Sequence, residues 1–311
     1  MSTKCWTVCL AFVLFASIAC AKETKRPRIV GVSHIAFFAH DMDKSLAFYK
    51  EFLGFDEPFR LDRPDGGLIC TFIKINDRQC IELFPEREAG TDRLYQVAFE
   101  IDDAEAMRTY LASCGIQVPE KVVKGRIGNM NFSIKDPDGH TVEFVQYLPD
   151  GRTLQDAGKH MPGSRISSHI KHAGFTVRHL DRSLAFYGGI LGFRETWRGA
   201  NNDTMLQWVN LKLPDGDDYI ELMLYRDPPS LPRLGTMNHL SLEVPEVPKA
   251  AALLESRPER KSYARTLEVR TGTNRKRQMN LYDPDGSRSE LMEPGTVDGV
   301  PAPSSKAPPP K

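Results

Sequence analysis

One short pattern occurs four times along the chain, and this repeat limits what the chain can fold into. Each copy opens with an imidazole or amide side chain two residues before a small residue, and closes with a glutamate in an apolar run. The openings are His34-Ile35-Ala36, Gln96-Val97-Ala98, His172-Ala173-Gly174 and His239-Leu240-Ser241, and the glutamates are Glu82, Glu143, Glu221 and Glu290. Imidazoles and carboxylates are metal ligands, and a buried carboxylate needs a partner. The repeat therefore suggests metal binding by four similar units.

A longer duplication groups these units in pairs. Residues 45–49 (Ser-Leu-Ala-Phe-Tyr) recur as 183–187, and the Asp-Pro-Asp-Gly run at 136–139 recurs at 283–286, where it is interpreted as a turn before the last strand. We therefore predict two domains, at residues 30–147 and 169–294. The Gly-, Pro- and Ser-containing stretch 148–168 is interpreted as a linker, and the Pro-rich tail 295–311 is expected to be disordered.

Local patterns within each unit predict the order βαβββ. In the first domain, strands are expected at 30–38, 56–61, 68–75 and 78–84, with a helix from about Met42 to Leu53. The order restarts with a strand at 94–101 and a helix at 103–114, followed by strands near 118–124, 129–135 and 141–147. The predicted fold class is α+β, with four βαβββ modules in two domains. Side chains alternate along strands, so His34 shares a face with Ala36, and His239 with Ser241. The small residues leave room for a metal and a substrate.

The N-terminus resembles an export signal. Lys4 precedes an uncharged apolar stretch, and Ala19-Cys20-Ala21 fits the small-x-small cleavage pattern, so residues 1–21 are predicted to be a signal peptide. The stretch is short for a membrane span, and we expect none in the mature chain. Lipidation at Cys20 is the alternative. The protein is therefore expected to be exported, in the periplasm or outside the cell.

Charge argues against a nucleic-acid partner. The 311-residue chain carries 41 Lys and Arg against 41 Asp and Glu, and shows no basic stripe. A small-molecule substrate is the expected partner. The five histidines outside the repeated positions are expected to be solvated, namely His40, His140, His160, His169 and His179.

With these motifs, the chain resembles the vicinal oxygen chelate superfamily, which includes glyoxalase I, extradiol dioxygenases, and fosfomycin- and bleomycin-resistance proteins. The resemblance covers residues 30–147 and 169–294. It implies that paired modules form an open cup around one divalent metal, which chelates two neighbouring substrate oxygens. Zn, Ni, Mn and Fe all suit such ligands.

The resemblance also implies the ligand positions. They fall on His172, Glu221, His239 and Glu290 in the second domain. In the first domain they fall on His34, Glu82, Gln96 and Glu143, where Gln96 replaces a histidine. Members of the superfamily build sites within one domain or by exchanging modules between domains; we favour the first arrangement and expect one working site, in the second domain.

Three reaction classes follow from the resemblance. Glyoxalase I-like proton transfer would use Glu221 or Glu290 as base, although Thr176 and Tyr225 stand where bacterial glyoxalase I has residues that contact glutathione. An extradiol dioxygenase would use His172, His239 and Glu290, but its further His and Tyr are absent, with Asn280-Leu281 in the Tyr region. A metal-free binding protein would not need both His and both Glu. We therefore favour a metal-dependent lyase or isomerase acting on a small vicinally oxygenated substrate.

Overall fold

The computed structural model describes residues 25–90 and 92–310. The expected signal peptide and Cys20 lie outside this part of the chain. Within it, no helix combines the length and the apolar character needed to cross a membrane.

The first domain holds two βαβββ modules, and the helix of the first module continues into a wider π-helical turn at Ala47–Phe52. In chain order its elements are β1 (Ile29–Ala39), α1 (Met42–Leu46), β2 (Asp56–Asp62), β3 (Leu68–Lys74), β4 (Cys80–Pro85), β5 (Leu94–Ile101), α2 (Ala104–Ser113), β6 (Val123–Lys124), β7 (Met130–Lys135) and β8 (Thr141–Gln146). Asp41 and Asp103 begin the two helices, because their carboxylates accept hydrogen bonds from first-turn amides.

The second domain repeats this order after a short helix in the linker, α3 (Arg152–Gln155). Its elements are β9 (Ile170–Val177), α4 (Leu180–Ser183) with a π-helical turn (Leu184–Ile190), β10 (Arg194–Gly199), β11 (Trp208–Lys212), β12 (Tyr219–Leu224), α5 (Leu231–Met237), β13 (His239–Glu243), α6 (Val247–Glu255) with a 3₁₀ turn (Pro258–Ser262), β14 (Arg270–Thr271), β15 (Lys276–Tyr282) and β16 (Arg288–Thr296).

Each domain forms one eight-stranded sheet, and the two strand orders are equivalent: β2-β3-β4-β1-β5-β8-β7-β6 and β10-β11-β12-β9-β13-β16-β15-β14. The first strands of the two modules pair antiparallel, and each also pairs in parallel with the last strand of its own module. The predicted α+β fold of four βαβββ modules is confirmed. This order brings the four strands that carry the repeated His, Gln and Glu residues together at the centre of each sheet.

Alternation assigns the two faces of these central strands. Ile35, Phe37, Val97 and Phe99 are fully buried in the apolar core, where helix residues such as Tyr49 also lie. The repeated polar side chains project to the opposite, concave face, which we call the cup of each domain. One predicted strand is shorter than expected: the segment at 118–124 pairs only at Val123–Lys124, because Pro119 has no amide hydrogen to donate.

The linker packs across the cup of the first domain. Lys74 Nζ donates to the Asp156 carbonyl at 2.6 Å, and the Arg152 guanidinium lies 4.2 Å from the centre of the Phe59 ring. These contacts hold the linker against β2 and β3, on the concave side of the sheet.

The C-terminal tail takes the same course in the second domain, which differs from the expected disorder. Trp197, at the position equivalent to Phe59, donates its indole N–H to the Pro303 carbonyl at 3.2 Å. Backbone amides of Leu206 and Ser305 donate to the Pro308 and Arg198 carbonyls at 2.7 and 2.9 Å. A Pro-rich segment is stiff and extended. Here it donates to the edge strand β10 through the Ser305 amide, and accepts from the Trp197 side chain and from Leu206.

The Asp-Pro-Asp-Gly runs form the predicted turns, and these turns also join the two domains. Asp136 accepts from Tyr187 Oη at 3.0 Å in the other domain, and Asp283 lies 3.5 Å from Ser45 Oγ across the same interface. His140 is not solvated, contrary to expectation, because its Nδ1 lies 2.9 Å from Asp136 Oδ2 and its ring packs on Phe175. Ser287 occupies the position of His140 in the second turn, so Asp283 has no such partner there.

The two turn aspartates differ in electrostatics. Burial acts to raise the pKa of Asp136, but the His140 imidazole outweighs it and leaves that pKa lowered. Burial raises the pKa of Asp283 from 3.8 to about 7. A lowered carboxyl pKa stabilises the fold above the unfolded-state pKa, and this stability is lost as pH falls through the folded-state value. A raised pKa has the opposite effect, and destabilises the fold as pH rises from 3.8 to about 7.

We therefore expect opposite results from two matched variants. Asp136→Asn should lower stability at pH 7 by about 1–3 kcal/mol, because it removes the carboxylate that pairs with the partly buried His140 imidazole. Asp283→Asn should raise stability at pH 7, and the gain should disappear near pH 4, where Asp283 is protonated. Thermal unfolding of both variants at the two pH values checks this, and shifts of the same sign at pH 7 would contradict the assigned environments.

Candidate metal centre

The candidate centre of the second domain is organised around two small residues. Gly174 pairs in register with both Glu221 and His239, and Ser241 pairs with both His172 and Glu290. The four larger side chains therefore come from four adjacent strands, and the small residues leave space between them. The structure thus brings together within one domain the complete set that the sequence predicts.

The donor atoms of this set lie at separations that a metal ion requires. His172 Nε2 is 2.9 Å from His239 Nε2 and 3.5 Å from Glu290 Oε2, while Glu221 Oε2 is 3.6 Å from His239 Nε2. Ligand atoms about 2.1 Å from one ion are separated by about 3.0 Å at a right angle and about 4.2 Å when opposite. The observed separations therefore fit a single first-row divalent cation.

Three of the four residues form the tightest group. The donor atoms of His172, His239 and Glu290 all lie within 4.8 Å of one another, and all three side chains are buried. Glu221 is not part of this group, although it reaches His239. Like Glu290, it also lines the adjoining cavity.

The orientation of His239 favours ligation through Nε2. Its Nδ1 lies 2.8 Å from the Met237 carbonyl, to which an Nδ1–H donates, and this leaves the Nε2 lone pair facing the centre. His172 packs its ring 4.4 Å from that of Tyr219, and its Nδ1 has no hydrogen-bond partner among the described residues.

Without a cation, burial drives all four groups toward their neutral forms. It raises the pKa of Glu221 to about 8, with a further contribution from Glu290, whose own pKa is also raised by burial. Burial and then the Arg288 charge hold the pKa values of His172 and His239 well below the usual range. A divalent cation would reverse this preference, because it stabilises carboxylates and binds neutral imidazoles.

A cavity of about 330 Å³ opens beside the centre. This volume is at the small end of the range for ligand pockets. Its walls combine aromatic and polar side chains with both carboxylates of the centre. The lining includes Trp197, Trp208, Glu221, Arg270, Arg288 and Glu290.

The repeat pattern did not draw attention to the two arginines. Strand alternation could have placed Arg288 in the cup, since it lies two residues before Glu290 on the same strand. Arg270 lies on a two-residue strand that no periodic pattern marks.

The equivalent set in the first domain is also brought together but is already internally paired. Gln96 Nε2 lies 2.9 Å from His34 Nε2 and 2.7 Å from Glu143 Oε2, and His34 Nε2 is 3.0 Å from the same carboxylate. Burial alone would lower the pKa of His34, but Glu82 and Glu143 outweigh it and leave the pKa raised. The amide thus lies between donors that would otherwise share a cation.

Two further features separate this first-domain set from its counterpart. Cys80 joins His34 and Glu82 in a group with donor atoms within 4.8 Å, a contact the repeat missed because Tyr219 stands at this position in the second domain. The cup is also filled more tightly, because Phe59 and Phe72 pack at 4.6 Å beneath Arg152.

The family model for the glyoxalase/bleomycin resistance protein/dioxygenase superfamily matches residues 31–144 and 169–291, and so covers both domains. The chain belongs to this superfamily. Among curated proteins, it is 24% identical over 98 residues to glyoxalase I of Saccharomyces cerevisiae, covering 32% of this chain and 28% of that protein. It is 24% identical over 184 residues to lactoylglutathione lyase of Schizosaccharomyces pombe, covering 50% and 57% respectively. The chain therefore spans only part of the length of these relatives.

Solved structures of both enzyme classes share the fold. An Mn(II)-bound glyoxalase from Novosphingobium aromaticivorans superposes with a TM-score of 0.65 at 18% identity, covering 86% of this chain and 83% of that one. A homoprotocatechuate 2,3-dioxygenase variant from Brevibacterium fuscum gives a TM-score of 0.65 at 15% identity, covering 87% and 73%. At these identities the likeness concerns the fold alone.

Gly174 provides a direct test of the packing at the centre. A Cβ built on Gly174 would lie 1.9 Å from Cε1 of His239, so Gly174→Ala should displace the imidazole. We expect at least a tenfold loss of metal affinity by calorimetric titration, on the scale of a perturbed supporting contact. Ala36→Gly, at the equivalent position of the first domain, is the matched control and should leave the affinity unchanged. Equal affinities in all three proteins would contradict the described packing.

Proposed function

We propose that the second domain is a metal-dependent lyase or isomerase of the glyoxalase I type, which acts by proton transfer on a small vicinally oxygenated substrate. The observation that carries the proposal is the convergence of His172, Glu221, His239 and Glu290 beside a cavity of about 330 Å³. When bound, the divalent metal would supply Lewis-acid polarisation of the substrate oxygens.

The chain's own residues have distinct roles in this proposal. His172, His239 and Glu290 hold the metal, since their donor atoms form the tightest group. Glu221 is the first candidate for the base, because its carboxylate lines the cavity but lies outside the tightest donor group; Glu290 is the second. The burial of the centre excludes water, which strengthens each electrostatic interaction there. Zn, Ni, Mn and Fe remain compatible with this donor set.

The first domain acts as scaffold in this account. The Gln96 amide already pairs with His34 and Glu143, and aromatic side chains with Arg152 fill the cup in front of them. A metal would have to displace this amide from both partners or bind through its oxygen. We therefore propose one working site for each chain.

Glutathione is not the proposed cosubstrate. Thr176 is uncharged and buried, and its backbone amide donates to Asn238 Oδ1 at 2.9 Å, whereas the resemblance to bacterial glyoxalase I implies a glutathione-contacting arginine at this position. We also propose that the protein is exported, with residues 1–21 as signal peptide or with Cys20 as lipid anchor. Sequencing the N-terminus of the mature chain tests this.

Extradiol dioxygenase activity is the second candidate function. The group of His172, His239 and Glu290 favours it, because two histidines and one carboxylate can hold Fe(II) with open positions for oxygen. Against it, Glu221 adds a second carboxylate 3.6 Å from His239, and Asn280 stands in the region of the dioxygenase tyrosine. A non-catalytic binding protein of the bleomycin-resistance kind is the third.

Metal content tests the site. His239→Ala should lose the bound equivalent of metal measured by elemental analysis, while Gln96→Ala, its counterpart in the first domain, should retain it. Both variants should keep the wild-type circular dichroism spectrum, since the apolar face of each strand is intact. Equal metal content in wild type and His239→Ala would refute the assignment.

Turnover tests the reaction class. A positioned general base contributes about 10²–10⁴-fold in rate, so Glu221→Gln should reduce dicarbonyl turnover on that scale beyond any loss of metal. The same loss in Glu290→Gln alone would transfer the role of base to Glu290. Oxygen uptake with ring cleavage in a catechol panel with Fe(II)-loaded protein would favour the dioxygenase. If the protein binds no metal and shows neither activity, the non-catalytic binding function is the remaining alternative.

A further inference from the structure

We propose that Arg270 and Arg288 form a subsite in the second-domain cup that binds an oxyanion group of the substrate, a carboxylate or a phosphate. The proposal rests on the proposed function, since the metal would hold the two neighbouring oxygens at the other end of the same molecule. Both arginines line the cavity together with Glu221 and Glu290.

Neither arginine makes a close ion pair with a described carboxylate, although Glu290, whose pKa burial raises, lies near enough for both guanidinium charges to act in the lowering direction on that pKa. Within residues 25–90 and 92–310, no carboxylate lies within 4.0 Å of either guanidinium, and Arg288 Nε is buried without a hydrogen-bond partner. The hydrogen-bond partners of Arg288 Nη2 among the described residues are uncharged, namely the Met237 carbonyl at 3.2 Å, Met223 Sδ at 3.7 Å and His239 Nδ1 at 2.5 Å. A guanidinium presents five donors, so most of its capacity is left for a ligand.

The charge of the loaded centre supports an anionic ligand. A divalent cation would cancel the charges of Glu221 and Glu290, and the two imidazoles would be neutral. The guanidinium groups of Arg270 and Arg288 would then be left as uncompensated positive charges on the cavity wall. Because Coulomb interactions are stronger in a partly buried cup than in water, these guanidinium groups would attract an oxyanion more strongly than the same groups exposed to solvent.

The internal repeat provides an independent comparison. In the first domain, Thr141 pairs with Gln96 where Arg288 pairs with His239, and Val123 pairs with Asn131 where Arg270 pairs with Gln278. At these two register positions, arginine is therefore found in the domain that also has the complete His and Glu set and the cavity, and not in the other. A purely structural role for them would not require this coincidence.

The contact between Arg288 and His239 links the subsite to the metal. When His239 Nε2 ligates a metal, its Nδ1 carries a hydrogen that points to the Met237 carbonyl. Arg288 Nη2 is also a donor, and two donors 2.5 Å apart repel each other. Metal binding would therefore direct the guanidinium away from His239 and into the cavity, toward an incoming anion.

A pair of matched probes tests the subsite in Mn(II)-loaded protein under anaerobic conditions. Catechol and 3,4-dihydroxybenzoate both offer two neighbouring oxygens, but only the second carries a carboxylate. By calorimetry, wild type should bind 3,4-dihydroxybenzoate about 10–100-fold more tightly, as expected for a charge-assisted hydrogen bond. Arg288→Gln and Arg270→Gln should each remove most of this preference while retaining one equivalent of Mn(II).

Arg277→Gln is the control, since Arg277 lies on β15 near Glu293 and does not line the cavity. It should keep the wild-type preference. With Mn(II) bound at one equivalent, an absent preference in wild type, or an unchanged one in both cup variants, would overturn the subsite and leave the proposed function standing.

If wild type binds none of Mn(II), Zn(II), Ni(II) and Fe(II), the proposed function fails, and the subsite is then tested in the metal-free protein. It is titrated with benzoate, phenyl phosphate and neutral benzamide, and the anion that binds with the higher affinity identifies the preferred oxyanion. Anion binding that is lost in both cup variants supports the subsite. Anion binding that persists in both, or no binding of either anion to wild type, overturns it.

Discussion

The structure of the second domain depends on four buried polar side chains whose donor atoms converge at the centre of the sheet. Four central strands supply them, namely His172, His239, Glu221 and Glu290. The two imidazoles do not compensate the charges of the two carboxylates. Burial of such groups is costly, and the cost is compensated only when each has a partner. The parallel and antiparallel pairs at the sheet centre, the small residues Gly174 and Ser241, and the adjoining cavity all serve to bring these donors to one place.

The two domains show how few changes separate a group of polar side chains that hydrogen-bond to one another from a group that can bind a metal. Their strand orders are equivalent and their registers around the centre match. Replacement of one imidazole by the Gln96 amide lets the first-domain set pair internally, and Arg152 with Phe59 fills the space in front. In the second domain the C-terminal tail crosses the cup at the equivalent position but leaves a cavity lined by Trp197 and Arg270.

Much of this arrangement was predictable from sequence because the repeat supplies long-range information. Four equivalent positions in four modules predict proximity even where no local pattern can, and strand alternation assigns His239 and Ser241 to one face. The remainder depends on packing that leaves no periodic signal. Examples are the pairing of Asp136 with His140, the contact of Cys80 with His34, and the path of the tail past Trp197. Composition alone favoured disorder for that tail, although an edge strand was available to bind it.

The central claim is that one metal binds within the second domain, and a titration of two histidine variants tests it most directly. His172 and His34 occupy equivalent positions, so His172→Ala and His34→Ala are matched in chemistry and burial. Calorimetric titration of metal-free protein with Mn(II) should show that His172→Ala loses the single tight equivalent and that His34→Ala retains it. Loss of tight binding in His34→Ala with retention in His172→Ala, or no loss in either variant, would contradict the account.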